Sequence, residues 1–151
     1  MNNIKPGLFA VVAATAIFAS AAGLDARAKE KEASMELRAV MDQLGRDMQA
    51  AAGAISKEDW AQVRIVSSRI ARHSEPSALE KVRILKWMGS DAGKFRAFDA
   101  EMKQGANDMA AAAGRSDGPQ VIRSFSEVQS TCLGCHQQFR APFVQHFYGR
   151  R

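Results

Sequence analysis

The chain has only two cysteines and three histidines in 151 residues, and a single long apolar run, close to its start. Each shortage excludes something. A zinc site wants four ligands, and besides Cys132, Cys135 and the adjacent His136 only the two scattered histidines His73 and His146 remain to complete one. No stretch alternates apolar and polar residues with period two, so strands are not expected. A CxxC pair of thioredoxin type would belong beside a βαβ pattern, and none is present. Clustered Lys/Arg stripes are absent too, which argues against a nucleic-acid partner.

The apolar run, Leu8 to Ala22, follows the positive Lys5 and precedes two small-residue cleavage patterns, Ala19-Ser20-Ala21 and Ala26-Arg27-Ala28. That order reads as a secretory signal peptide. The second pattern abuts the charged Lys29-Glu30-Lys31-Glu32, so cleavage is expected after Ala28. The run is shorter than the roughly 20 residues of a spanning helix, which argues against an uncleaved anchor, and nothing later in the chain could span a membrane. Export points to the periplasm. Domain bounds follow: signal peptide 1–28 and one domain over 29–151, long enough for a real core. Lys5, Asp25 and Arg27 leave with the signal, taking the formal charge from +5 to +4. A mildly basic protein favours acidic partner surfaces.

What is present is concentrated in Cys132-Leu133-Gly134-Cys135-His136. Two cysteines two residues apart with a histidine directly after them read as a c-type haem attachment site. The thiols must reach two vinyl groups of one porphyrin, and on a helix positions i, i+3 and i+4 share a face. Cys132 and Cys135 therefore hold the thioethers, and His136 is the axial ligand of the iron. Both cysteines are consumed by one haem c, and the attachment chemistry agrees with export.

The rest of the chain reads as helix, rich in Ala, Met, Leu, Glu, Lys, Arg and Gln. A first helix is expected from about Lys31 to Ala52, its apolar stripe formed by Leu37, Met41, Leu44, Met48 and Ile55 and its stop by Gly53. Ser56 resembles an N-cap, with Asp59 three residues on, for a second helix over 57–72 that buries Trp60, Val63, Val66 and Ile70. Ser74-Glu75-Pro76 breaks it. A short helix over 77–88 would bury Leu79, Val82, Leu85 and Met88. Ser90 would cap a helix over 91–113 carrying Phe95, Phe98, Met102 and Met109. Gly114 to Gly118 is a turn, and Pro119 suits the first turn of the last helix. That helix carries Val121, Phe125, Val128, Cys132, Cys135, Phe139 and Phe143 on one stripe, with Pro142 marking its end or a kink. The tail from Phe143 is aromatic and basic, and packs as a cap on the bundle end more readily than it docks a partner. Four amphipathic segments with short connections make an all-α antiparallel four-helix bundle with its cofactor in the core.

At this point the chain resembles the cytochrome c-prime family, the class II cytochromes c. The resemblance runs through the mature chain in order, and Cys132-Leu133-Gly134-Cys135-His136-Gln137-Gln138-Phe139-Arg140 is similar to the family signature. The family has two branches. In one, an apolar side chain of the first helix covers a five-coordinate iron that binds nitric oxide or carbon monoxide. In the other, a first-helix methionine is the sixth ligand. The stretch from Val40 to Met48, with Met41 four residues before Gly45, resembles the second, so the resemblance implies Met41 as sixth ligand. Leu37 as an apolar lid, or Met48 as ligand, stays open; Met35 falls off the stripe and is excluded.

The resemblance further implies Arg38 beside a haem propionate and Arg140 along the proximal face, redox-protein partners, and homodimers in some members. It implies electron transfer rather than catalysis, with binding of nitric oxide or carbon monoxide as the alternative. A peroxidase would need an acid/base residue above the iron, and no histidine falls on the first-helix stripe. His146 lies about 15 Å further along a continuing helix, too far to ligate the same iron, and His73 is expected at the surface.

Overall fold

The computed structural model describes residues 35–149. The expected signal peptide, its cleavage after Ala28 and the expected helix start at Lys31 lie outside these residues. Six α-helices follow one another: α1 Glu36–Ile55, α2 Trp60–Ala71, α3 Ala78–Met88, α4 Ala92–Gly114, α5 Gly118–Cys135 and α6 Ala141–Tyr148. A 3-10 turn, Gly89–Asp91, joins α3 to α4, and a π turn, His136–Arg140, joins α5 to α6. No strand occurs among the described residues, and none of their helices is long and apolar enough to cross a membrane. The fold is an all-α four-helix bundle in which α1, α2, α4 and the rod of α5, π turn and α6 are the four members. Packing proceeds from α1 to α2, α2 to α4 and α4 to α5, whereas α1 meets α5 only sparingly. That seam is where the candidate site lies.

The two long hairpins turn in the same way. In the first, Glu58 takes a positive φ of 54°, the Asp59 N–H donates to the Ala54 carbonyl, and Trp60 donates to Glu58. In the second, Ser116 has φ 55°, Asp117 donates to Ala112, and Gly118 donates to Ser116. Each aspartate then caps the next helix, Asp59 accepting from the Gln62 N–H at 3.0 Å and Asp117 from Gln120 at 3.1 Å. A side-chain oxygen at the N-cap satisfies one of the orphan donors of the first turn. This corrects two expectations. Gly53 does not stop α1, because Glu58 takes the left-handed conformation further on. Ser56 is not the cap either: its hydroxyl donates back to the Ala52 carbonyl at 3.0 Å, finishing α1.

The core divides in two. One part is built of small and aliphatic side chains, Ala51, Val63, Val66, Ile70, Ala106, Met109, Ala112, Val121 and Val128, all essentially sealed from solvent. The other is aromatic: Phe139 and Phe143 are buried with Met35, Ile84 and Met88, and Trp87, Phe95, Phe98, Phe147 and Tyr148 pack around them. Of the expected α1 stripe, only Leu37 joins the aromatic part, while Leu44, Met48 and Ile55 pack on the aliphatic part. The positions that α1 buries outright are Val40, Asp47, Ala51 and Ala54. Asp47 is held inside by Arg69 of α2 at 2.6 Å and by the Gln43 amide at 3.1 Å.

Helix α3 presents a different face from the expected one. Leu79 and Val82 are exposed, and Glu80, Ile84 and Met88 are buried. Glu80 explains the rotation. Its carboxylate accepts from the backbone N–H groups of Glu36 at 2.9 Å and Leu37 at 2.8 Å, capping α1 from outside because Met35 offers no side-chain cap. Glu36 returns the bond, accepting from the Ser77 N–H at 2.5 Å. Two helix N-termini thus hold each other through crossed carboxylates, which also suits the positive end of each helix dipole.

Candidate cofactor site

Asp117 and Pro119 start α5 and aim its apolar stripe between the two parts of the core. Cys132 packs toward the aliphatic part and Cys135 toward the aromatic one. The helix then meets Pro142. In an unbroken α-helix the proline ring would clash with the carbonyl four residues back, that of Gln138. The rod neither ends nor breaks there. It widens into the π turn over 136–140, with Pro142 in the first turn of α6. A π turn holds more residues than an α turn, so the inward stripe advances as Cys135, Phe139, Phe143 and Tyr148, in steps of four, four and five. All four side chains line one cavity.

That cavity, about 400 Å³, fills the seam between α1 and the C-terminal rod. Leu37, Arg38, Met41 and Asp42 of α1 form one wall; His136, Arg140 and Val144 join the four rod residues on the other; Met88 and Phe95 close the base. Phe139 meets Phe95 and Phe98 edge to face at 5.7 and 6.3 Å. Trp87 of α3 packs on Phe143, His146 and Phe147 at 5.2 to 5.8 Å, so the aromatic tail is a packed cap. His146 is occupied by that stack.

Of the residues singled out from the sequence, Cys135, His136, Met41, Arg38 and Arg140 come together here, and Leu37 with them. Cys132 is half-buried one turn before Cys135 and packs on the aliphatic part of the core, next to the residues that line the cavity but not among them. Met48 packs on the aliphatic core. His73 corrects an expectation: its side chain is only 9% exposed, with Nε2 3.3 Å from Asp99 and Nδ1 3.1 Å from the Ile70 carbonyl. This bond to His73, with Lys103 beside it, holds the Asp99 carboxyl below its usual range. The stripe count did not find Val144 or Tyr148. An extra residue per π turn defeats counting at 3.6, although a lone tyrosine in an apolar tail was a signal.

Burial pushes the Cys132 thiol up. It pushes Cys135 up to about 11, with Cys132 and Asp99 adding to the effect. Burial, with Arg140 nearby, lowers His136. At neutral pH the site therefore presents two protonated thiols and a neutral imidazole, the form that ligates metals. A thiol S–H can add across a vinyl double bond with nothing lost.

The residues fit a haem. The walls are apolar and aromatic, and His136 and Cys135 sit together on the lining. Among the described residues neither Arg38 nor Arg140 pairs with a carboxylate, and the buried Tyr148 hydroxyl has no hydrogen-bond partner. Free cations and an orphan donor around an apolar slot match a flat hydrophobic group that carries carboxylates. A family model described as Cytochrome C' matches residues 71–140, from the end of α2 to the arginine closing the π turn. No curated protein and no solved structure matches the chain. Members of that family carry covalently attached haem c, typically one per chain, and serve as electron-transfer or ligand-binding cytochromes.

Proposed function

We propose, on the premise that the chain belongs to the cytochrome c-prime family through residues 71–140, that it is a periplasmic mono-haem cytochrome carrying single electrons. It has no substrate and no catalytic residues in this reading. One observation carries it: Met41 on one wall and His136 on the other line the same cavity. Cys132 and Cys135 would hold the haem through thioethers, and His136 and Met41 would ligate its iron. When bound, haem c supplies an iron that gains and loses one electron, and Met/His ligation raises its potential. Arg38 and Arg140 supply positive charge at the cavity edge. The basic balance of the chain, +5 overall, suits redox partners with acidic faces, and a homodimer is the assembly the resemblance suggests. The N-terminal pattern supports export.

Leu37 favours a second reading. It lines the cavity one turn before Met41 and packs on the aromatic core, while Met41 is 38% exposed. With Leu37 over the iron and Met41 turned outward, the iron is five-coordinate and binds nitric oxide or carbon monoxide. Absorption spectra of the haem-loaded protein decide between the two. Sharp reduced bands, an oxidised sulfur–iron band that Met41→Ala abolishes, and indifference to carbon monoxide are the expected result. A broad reduced band that moves with carbon monoxide would replace the first reading by the second. A haem-free product from a host able to attach haem would remove both.

A further inference from the structure

The aromatic tail does more than cap the bundle. Tyr148 ends the inward stripe of the rod and lines the cavity. Its ring packs on Phe143, centroids 6.1 Å apart, and the Arg38 guanidinium carbon lies 5.9 Å from the ring centre. Its hydroxyl is sealed from solvent and, among the described residues, its proton has no acceptor. A buried hydroxyl left without an acceptor is costly, so a hydroxyl held in this way points to an acceptor that arrives with the ligand. Burial also raises the phenol above its ordinary range; the Met35 backbone N–H, aimed at the phenol oxygen, opposes the rise, and smaller effects of Glu80 and Asp42 upward and Arg38 downward follow. The group therefore stays a donor well beyond neutral pH.

The neighbours narrow the acceptor. Arg38 has only donors, and it stands beside Tyr148 without an ion pair among the described residues. Two adjacent donors of this kind are satisfied together by an anionic oxygen. Asp42, one turn after Arg38, lines the same wall, but its carboxylate makes no hydrogen bond to either. Haem brings two propionate carboxylates into this slot. Resting on the haem reading, we infer that the Tyr148 hydroxyl donates a hydrogen bond to a cofactor carboxylate, with Arg38 as the companion cation. Tyr148 is then a positioning residue: it locks the tail over the cavity when the cofactor is attached, and couples α6 to the cofactor charge.

Tyr148 is the only tyrosine of the chain, which makes the test clean. Ultraviolet resonance Raman reads hydroxyl donation directly, with and without haem in the full-length protein. The expected result is a tyrosine signature of a strong donor that appears only with haem. The same signature in both forms overturns the inference. In the holoprotein, Tyr148→Phe keeps the ring and removes one oxygen. It should shift the propionate bending vibration, and move the pH-dependent step of the reduction potential to higher pH, because the lost donor favoured the ionised carboxylate. Asp42→Asn should leave the vibration in place. If Tyr148→Phe changes neither readout, or Asp42→Asn alone abolishes the tyrosine signature, the acceptor is not the cofactor. Spectra that report an open iron defeat Met41 ligation and leave these readouts valid, whereas a chain that never carries haem defeats both ideas.

Discussion

The two ends of the bundle solve opposite problems with the same helices. At one end, α1, α2, α4 and α5 meet through Ala, Val and Ile, and Ala51, Val63, Val66, Ala106, Met109 and Val121 are fully buried. Small side chains let backbones approach and leave little to rearrange. At the other end, the same α1 and the continuation of α5 are held apart by Phe and Tyr side chains around a 400 Å³ cavity. Its base is closed by Met88 of α3 and Phe95 of α4. The closed end stabilises the fold and the splayed end receives the cofactor. One helix belongs to both: α1 carries Asp47 and Ala51 into the closed end, and Leu37 and Met41 into the open one.

Matched truncations measure that difference. Met109 is fully buried at the closed end, and Met88 faces the cavity at 8% exposure. Met109→Ala should cost the haem-free protein about 3 kcal/mol, a lost transfer term plus a new void. Met88→Ala enlarges a space that already exists, and should cost about 1 kcal/mol on the same grounds. Urea melts read both. Equal losses would mean that the cavity end is as tightly packed as the other.

The thiols sharpen the comparison with pH. Cys135 is held up to about 11 by burial, against about 9 for a thiol in the unfolded chain. Below pH 9 both states keep the proton and the folded state has its full stability. Between 9 and 11 only the unfolded chain releases it, so stability of the haem-free protein falls as pH rises through that window. Alkylation of Cys135 in the folded protein at pH 8 should run about a hundredfold slower than in urea, two pKa units being two decades of thiolate below the lower pKa. Once the sulfurs are thioethers, the alkaline loss should vanish. A haem-loaded protein with the same alkaline decline would show that another group causes it.

The crossed carboxylates that position the open end are the next to break. Glu80→Ala strands the Glu36 and Leu37 N–H groups, which bonded at 2.9 and 2.8 Å. The expected loss is about 2 kcal/mol, since bonds to a charged acceptor are worth more than neutral ones. Asp59→Ala, at the closed end, removes a single solvent-exposed cap bond and should cost about 1 kcal/mol. Only Glu80→Ala should also disturb the iron spectrum, because it frees the first turn of α1 beneath Arg38 and Met41. An unaltered spectrum would separate the clasp from the site.

Much of this was legible in the sequence, and the failures share a cause. The Cys132, Cys135 and His136 spacing, the four long helices and the Pro119 start are local signals, and local signals survive folding. Reading α3 from its apolar positions put Leu79 and Val82 inside. Tertiary capping by Glu80 overrode that pattern, and no count of hydrophobic residues sees a backbone donor on another helix. His73 went inward because Asp99, 26 positions away, receives it. The tail caps the bundle end as expected, but its place in the cavity lining was missed for a third reason. The π turn before Pro142 changes the residue count per turn, which brings Tyr148 to a cavity that a 3.6-residue period assigns elsewhere. Long-range bonds and a change of helical pitch are the two things that periodicity cannot carry.

The finest contrast between the ends lies in two glycines. A Cβ on Gly105 would meet Val128 Cγ2 at 3.0 Å, and one on Gly134 would meet Phe98 Cε1 at 3.1 Å. The distances are alike, but the neighbours are not. Val128 is fully buried in the closed end and β-branched, with little rotamer freedom in a helix, so it must push its surroundings. Phe98 is only partly buried, at the rim of the aromatic part, and its unbranched Cβ leaves the ring freer to tilt. Replacing a mid-helix glycine by alanine otherwise gains about 0.5–1 kcal/mol. Gly105→Ala should therefore be destabilising by about 1 kcal/mol, the overpacking term exceeding the helical gain. Gly134→Ala should be neutral or slightly stabilising in the haem-free protein. Thermal melts of the two variants answer this directly. If Gly134→Ala loses as much as Gly105→Ala, the aromatic wall is rigid before the cofactor arrives, and the softness assigned to that end has to be given up.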